Sequence, residues 1–217
     1  MAISKKKIEA IFQALNLAIP NPQSDLVFKN NFELLISVIL SAQATDKAVN
    51  LVTPKLFELG PTPEKLHALG LDKIKNLIKT LGLFNNKAKS LVACTRSLVD
   101  DHNSVVPNTR KELEALAGVG KKTAGVVLNV AFGEPTIPVD THVFRLSNRL
   151  GLVNTKSAEV TEPPLLKVVP EWVKPKAHHL LILHGRYVCK ARKPECSLCP
   201  VTEYCKSYPK FKKQLGL

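Results

Sequence analysis

Three groups of residues in this sequence have types and spacing that could do chemistry. The first is Leu116-Ala-Gly-Val-Gly-Lys-Lys-Thr123, where two glycines one residue apart precede two lysines. It lies between a leucine-bearing helical segment (Leu113, Leu116) and a small-residue one (Ala124 to Phe132), so the backbone must reverse tightly. Gly118 and Gly120 permit that, because glycine tolerates positive φ and lets another backbone come close. The N–H groups after the turn have no intrahelical partner and lie at the positive end of the next helix, which suits an anion. Lys122 sits in that first turn beside Lys121, where the helix dipole and a like charge both favour the neutral amine. An ordinary lysine, of pKa about 10.4, is neutral in only about one part in a thousand near physiological pH, so a lowered pKa is what an amine nucleophile requires. The other use of the same residue is to pair with a phosphate, as Lys121 can, and the two lysines taken alone favour that use.

The second group is Val139-Asp-Thr-His142. Aspartate is a preferred N-cap and stabilises a helix by about 1 kcal/mol in that role. A carboxylate at a helix N-terminus is also held ionised, so Asp140 can offset positive charge developing beside it or help deprotonate an amine. His142 stands near enough in sequence to orient it.

The third group is Cys189, Cys196, Cys199 and Cys205, spaced C-x6-C-x2-C-x5-C. Four thiolates bind zinc or an iron-sulfur cluster, and the spacing alone does not choose between them. Cys94 lies apart, inside a helical pattern, and reads as a small buried hydrophobe. His178, His179 and His184 have no acidic or cysteine partner at a suitable spacing, which leaves them packing or surface roles.

These groups need helices to hold them. Ile8, Ile11, Phe12 and Leu15 predict a helix over 5–17. A second runs from Phe32 to about Gln43, capped by Asn31 or a neighbour, and is apolar on nearly every face. Asp46 caps the next, through Phe57, with a kink at Pro54. Thr62-Pro63-Glu64 begins another, Asp72 caps one that ends at Leu81, and 86–101 forms a further helix. Residues 109–116 lead into the glycine turn, and the helix after it stops at Gly133. Asp140 caps a helix to Leu150. Pro163 and Pro164 keep the helix containing Leu165 to Val169 from extending far upstream. His178 to Tyr187 is helical, followed by the cysteines and a basic tail. No useful segment has strand periodicity, so the chain is expected to be all-α.

Lys and Arg total 31 against 18 Asp and Glu, a net charge of +13 with pI near 9.6. Such a balance attracts a polyanion, nucleic acid being the commonest for a soluble protein, although a generally solvated basic surface has the same composition. No apolar run reaches the roughly 20 residues of a membrane span, and the N-terminus is not a signal peptide. A soluble intracellular protein is expected, with its crowded cysteines serving as metal or cluster ligands rather than disulfides.

Leu116-Ala-Gly-Val-Gly-Lys-Lys-Thr-Ala124, Val139-Asp-Thr-His142 and the four-cysteine tail together resemble the endonuclease III family of helix-hairpin-helix DNA glycosylases, along essentially the whole chain. The resemblance implies a two-lobed all-α fold with a C-terminal iron-sulfur loop. One domain would be 24–134, six helices including the hairpin, and the other 1–23 with 135–217. Lys122, from the hairpin lobe, would face Asp140 across a DNA-binding cleft, attack C1′ of an oxidised or ring-saturated pyrimidine nucleotide in duplex DNA, and then cleave the abasic site. Cys189, Cys196, Cys199 and Cys205 would hold a [4Fe-4S] cluster that fixes Lys190, Arg192 and Lys193 on a loop tracking the backbone. Gly118, Gly120, Lys121 and Thr123 would grip phosphates. Gln43 and Leu83 match the family's wedge positions, which fill the space left by an extruded nucleotide; on their own terms Gln43 can simply end a helix and Leu83, after Gly82, can be the apolar contact of a helix C-cap. A monomer in the cytoplasm, associated with the bacterial nucleoid, is the form the family implies. The sequence departs from the family at Ala117, usually proline, at Gly125, often asparagine, and at Pro163-Pro164, often charged helix formers.

Two rivals remain at this level. An adenine-excising relative lacks a lysine at this hairpin position and carries a further C-terminal domain, and Lys122 and the end at Leu217 argue against it. A noncatalytic DNA-binding module with structural zinc predicts binding without strand cleavage and a colourless protein.

Overall fold

The computed structural model describes residues 3–216, all in helices, turns and loops, with no β-strand among them. Ser4 starts the first helix: its Oγ accepts the Lys7 N–H at 3.3 Å. In α1 (Lys5–Ala18) the residues Ile8, Ile11, Phe12 and Leu15 fall on one face and are buried, as their 3.6-residue period requires.

The chain gathers into two compact units. One is Ser24–Glu134, and the other combines the chain up to Gln23 with everything from Pro135 onward. The first unit contains α2 (Asn31–Leu40), α3 (Asp46–Leu59), α4 (Pro63–Ala68), α5 (Gly70–Ile78), α6 (Phe84–Asp101), α7 (Arg110–Ala115) and α8 (Lys121–Phe132). Its centre is α2, buried from Phe32 to Leu40 and packed against α3, α6 and α8. Leu34, Leu35, Ile36 and Leu40 are completely enclosed, and burying each such side chain contributes about 1.5–3 kcal/mol. Truncating Leu35 to alanine would cost about 2–5 kcal/mol, because the surroundings close only partly over the void.

Asn30 caps α2 by accepting the Glu33 N–H at 2.9 Å, and Glu33 reaches back to the Lys29 N–H at 2.8 Å. Thr45, not Asp46, caps α3, its Oγ1 accepting the Ala48 N–H at 3.2 Å. Asp72 lies in the first turn of α5 rather than capping it. The helix α2 stops at Leu40 instead of near Gln43, because the chain turns over the next five residues and Gln43 takes a left-handed conformation, φ 52°. Pro54 sits inside α3, where it cannot donate to the Asn50 carbonyl.

The second unit holds α1, α9 (Thr141–Leu150), α10 (Glu162–Val168), α11 (Lys174–Tyr187) and α12 (Tyr208–Leu215). Pro163 and Pro164 occupy the first turn of α10, where a missing N–H costs nothing. Phe12 and Leu15 join Val143, Leu146, Leu180 and Leu181 in its core. α11 packs against α9 and α1, and Gly185 permits the close approach: a Cβ there would lie 3.0 Å from the His142 carbonyl oxygen. The basic tail forms α12. Among the described residues no helix is long and apolar enough to cross a membrane.

Candidate functional site

The hairpin is built by α7, the turn and α8. Thr109 caps α7, and after Leu116 the chain reverses with Gly118 at φ +81°. A Cβ on Gly118 would meet the Ser90 Cβ at 2.8 Å and Ile39 Cγ2 at 3.2 Å, so both glycine properties are used at this position. Gly120 differs from the expectation: its φ is −95°, an ordinary extended value, and a Cβ would find no atom within 4 Å. Its relevant property is that it caps α8 without a side chain. No side-chain acceptor covers the cap, so the first N–H groups of α8 stay available to an anion. Lys121 and Lys122 are exposed in that first turn with Thr123 half-buried beside them, and Arg110 reaches the Lys121 carbonyl at 3.4 Å.

Gln43 and Leu83 lie on loops that approach each other within the same unit, since a Cβ on Gly82 would lie 3.9 Å from the Gln43 carbonyl oxygen. Both have positive φ, 52° and 58°, which costs about 1 kcal/mol or more for a residue with a Cβ. Leu83 is 55% exposed. One helical turn later Lys87 is 5% exposed, and its Nζ has no hydrogen-bond partner. Burial lowers its pKa.

Asp140 belongs to the other unit and caps α9. One carboxylate oxygen, Oδ1, accepts the N–H groups of His142 at 2.9 Å and Val143 at 2.8 Å, an arrangement that fixes its direction. Behind it Arg145 donates to the Gly185 carbonyl at 2.6 Å and the Cys189 carbonyl at 3.1 Å, and its Nη2 lies 3.2 Å from His142 Nδ1. α9 therefore runs from Asp140 to the cysteine segment with His142 and Arg145 between them.

The four cysteines of the tail converge on one pocket. Cys189 follows the end of α11, its N–H donating to the His184 carbonyl at 2.8 Å. Cys199 and Cys205 each close a short 3-10 turn (Cys196–Leu198 and Thr202–Tyr204) in nearly the same conformation, ψ 119° in both. All four line one pocket, part of it open to solvent, and none is in a disulfide. Burial, the largest cause, pushes the Cys199 thiol up to about 11 and raises Cys196 and Cys205 as well. Such thiols ionise when a cation replaces their protons, so the donor set fits a metal centre.

Two features of this pocket were not legible in the sequence. His184, read as having no cysteine partner, has its Nε2 3.4 Å from Cys199 Sγ, because the chain folds back after α11. Arg149 lines the pocket. Of the basic loop residues, Lys190, Arg192 and Lys193 are exposed, and Lys190 Nζ is engaged by Glu195. Cys94 is buried, as expected, and desolvation raises its thiol to about 12.

Residues 36–171 match the HhH-GPD superfamily of base excision DNA repair proteins, and 189–205 match the iron-sulfur binding domain of endonuclease III. Endonuclease III of Haemophilus influenzae is 54% identical over 200 residues, 92% of this chain and 94% of that protein. That of Rickettsia felis is 52% identical over 201 residues, 93% of this chain and 94% of that protein. The chain belongs to the endonuclease III family. The all-α architecture with the hairpin and the cysteine-bearing C-terminal loop is the fold of that family. A solved structure of a trapped endonuclease III–DNA covalent intermediate, in an estranged-adenine complex, superposes with a TM-score of 0.90 at 42% identity, covering 96% of this chain and 98% of that one. The cysteine pocket is accordingly an iron-sulfur binding site.

Proposed function

We propose that the chain removes oxidised or ring-saturated pyrimidines from duplex DNA with Lys122 as nucleophile and Asp140 as its partner carboxylate, and then cleaves the abasic site. As a member of the endonuclease III family it is a base excision repair enzyme, a DNA N-glycosylase with abasic-site lyase activity. The observation that carries the residue assignment is the hairpin itself: an exposed lysine in the first turn of a helix whose leading N–H groups are uncapped, in a chain 42% identical to an enzyme caught covalently attached to DNA.

The chemistry follows from what each group can do. The first N–H groups of α8, with Lys121, hold a phosphate and set the depth at which the hairpin meets the backbone. The target nucleotide leaves the stack, while Gln43 and Leu83, on their strained loop tips, take the space it vacates. The Lys122 amine bonds to C1′ as the C1′–N bond breaks, and the base departs with that electron pair and takes up a proton. Asp140, fixed in direction at the α9 N-terminus, offsets the positive charge on the sugar and helps remove the proton from the lysine nitrogen. The nitrogen lone pair then breaks the C1′–O4′ bond, O4′ taking up a proton, and the resulting open-chain imine acidifies C2′–H; loss of that proton and cleavage of the C3′–O bond expel the 3′ phosphate, and water releases Lys122.

Cys189, Cys196, Cys199 and Cys205 would hold a [4Fe-4S] cluster. Bound, it supplies a rigid covalent centre for the loop bearing Lys190, Arg192 and Lys193, whose charges follow the DNA backbone.

The test is borohydride trapping on a duplex with one thymine glycol, wild type against Lys122→Ala. A covalent adduct formed by the wild type and absent from the variant is expected. Lesion binding without any adduct from the wild type would remove the lysine mechanism and favour a noncatalytic or monofunctional reading.

A further inference from the structure

Arg149, next to last in α9, is attached to both ends of the cysteine segment. Its Nη1 donates to the Lys190 carbonyl at 2.8 Å and lies 3.5 Å from the Cys189 carbonyl oxygen and 3.4 Å from Cys189 Sγ. Nη2 donates to the Ala191 carbonyl at 2.7 Å. Its own carbonyl accepts the Ser207 N–H at 3.0 Å and faces Cys205 Sγ at 3.5 Å. The guanidinium carbon stands 4.6 Å from the centre of the Phe211 ring, a cation–π contact that ties α12 to the same group.

This geometry is specific to arginine. Three consecutive carbonyls, at 189, 190 and 191, are met by one planar fork, and a lysine could satisfy only part of that set. The same fork aims an N–H at the sulfur of Cys189. A donor to a coordinating sulfur draws electron density from it and favours the more reduced state of the centre, and the fixed positive charge acts in the same direction.

We propose that Arg149 is a positioning residue for the iron-sulfur centre: it raises the centre's reduction potential through Cys189 and fixes the start of the loop that presents Lys190, Arg192 and Lys193. The proposal rests on the iron-sulfur reading of the pocket. Arg149 acts through Cys189 and the loop backbone. Phe211 sets how freely the guanidinium can turn away.

The experiment compares wild type, Arg149→Gln, Arg149→Lys and Phe211→Leu as anaerobically purified holoproteins, measuring iron and sulfide per chain, visible absorbance and the midpoint potential by film voltammetry. Arg149→Gln should retain the centre at a lower midpoint potential. Arg149→Lys, which keeps the charge but not the fork, and Phe211→Leu, which frees the fork, should show smaller shifts in the same direction. A merely structural arginine would alter stability or activity without moving the potential. Iron-loaded variants with the wild-type potential overturn the proposal while leaving the cluster intact. Should Arg149→Gln lose its iron, the two milder variants decide by the same criterion. A wild type without iron and sulfide overturns the cluster reading and this proposal with it.

Discussion

Gly118 and Ser90 leave no room for a methyl group between them: a Cβ on Gly118 would lie 2.8 Å from the Ser90 Cβ. Two costs therefore fall on Gly118→Ala, the left-handed backbone at φ +81° and the displacement of α6 from the hairpin. Together they should destabilise the fold by about 2–3 kcal/mol. Gly120→Ala meets neither cost and should unfold within about 1 kcal/mol of wild type. Its methyl group would instead stand where a phosphate approaches the α8 N–H groups, so DNA affinity should fall. Urea denaturation and DNA titration of the two variants separate the roles; unchanged affinity in Gly120→Ala would show that the DNA does not approach the hairpin backbone there.

Leu83 is held in a conformation that favours glycine and leaves much of its side chain exposed. Leu83→Gly should relieve the strain and leave stability unchanged or raised by up to about 1 kcal/mol. If the side chain is the wedge, the same variant should lose excision on paired lesions and keep more of it where the target base is already mismatched, since extrusion is then cheaper. Single-turnover rates on the two duplexes test this. An equal loss on both would assign Leu83 to something other than extrusion.

What could be read from the sequence was what repeats or clusters along it. The period of Ile8, Ile11, Phe12 and Leu15 determined α1, and the unbroken apolar run of α2 marked the helix that others surround. The four tail cysteines do line one pocket. The α3 cap was displaced by one residue, to Thr45, because Thr45 and Asp46 are both capping types and only the backbone bend selects between them. α12 was read only as a basic tail: its narrow apolar face, Tyr208, Phe211 and Leu215, is only partly buried and is set among lysines and Pro209. The His184 to Cys199 approach and the grip of Arg149 on residues 189–191 arise from the chain folding back on itself, and no local spacing encodes either.

Lys87 carries a buried amine without a partner, and desolvation lowers its pKa. For a lysine so shifted the folded state is penalised most at low pH, where both states are protonated and only the folded one buries the charge. Between the lowered value and the ordinary one, about 10.4, the unfolded chain holds the extra proton, so stability contributed by this site rises with pH. Lys87→Met should therefore be more stable than wild type near neutrality, by about 1–3 kcal/mol, with the difference shrinking as the medium becomes alkaline. Urea unfolding of both proteins across that range measures it. A constant difference would mean that the amine finds a partner in solution.

Asp140 uses Oδ1 alone for both N–H groups at the start of α9, and asparagine presents an oxygen at that same position. Asp140→Asn should therefore keep the cap, the stability to within about 1 kcal/mol and the affinity for DNA, while removing the negative charge. Asp140→Ala should lose the cap as well, at a cost of about 1 kcal/mol or somewhat more. If the carboxylate acts only as a cap, excision should follow stability, and the asparagine variant would be active. If it offsets charge on the sugar and helps deprotonate Lys122, both variants should be slow by a similar factor, of the order of a hundredfold or more, despite their different stabilities. Single-turnover excision of thymine glycol, read beside the unfolding midpoints, distinguishes these outcomes, and wild-type turnover in Asp140→Asn would take the aspartate out of the mechanism.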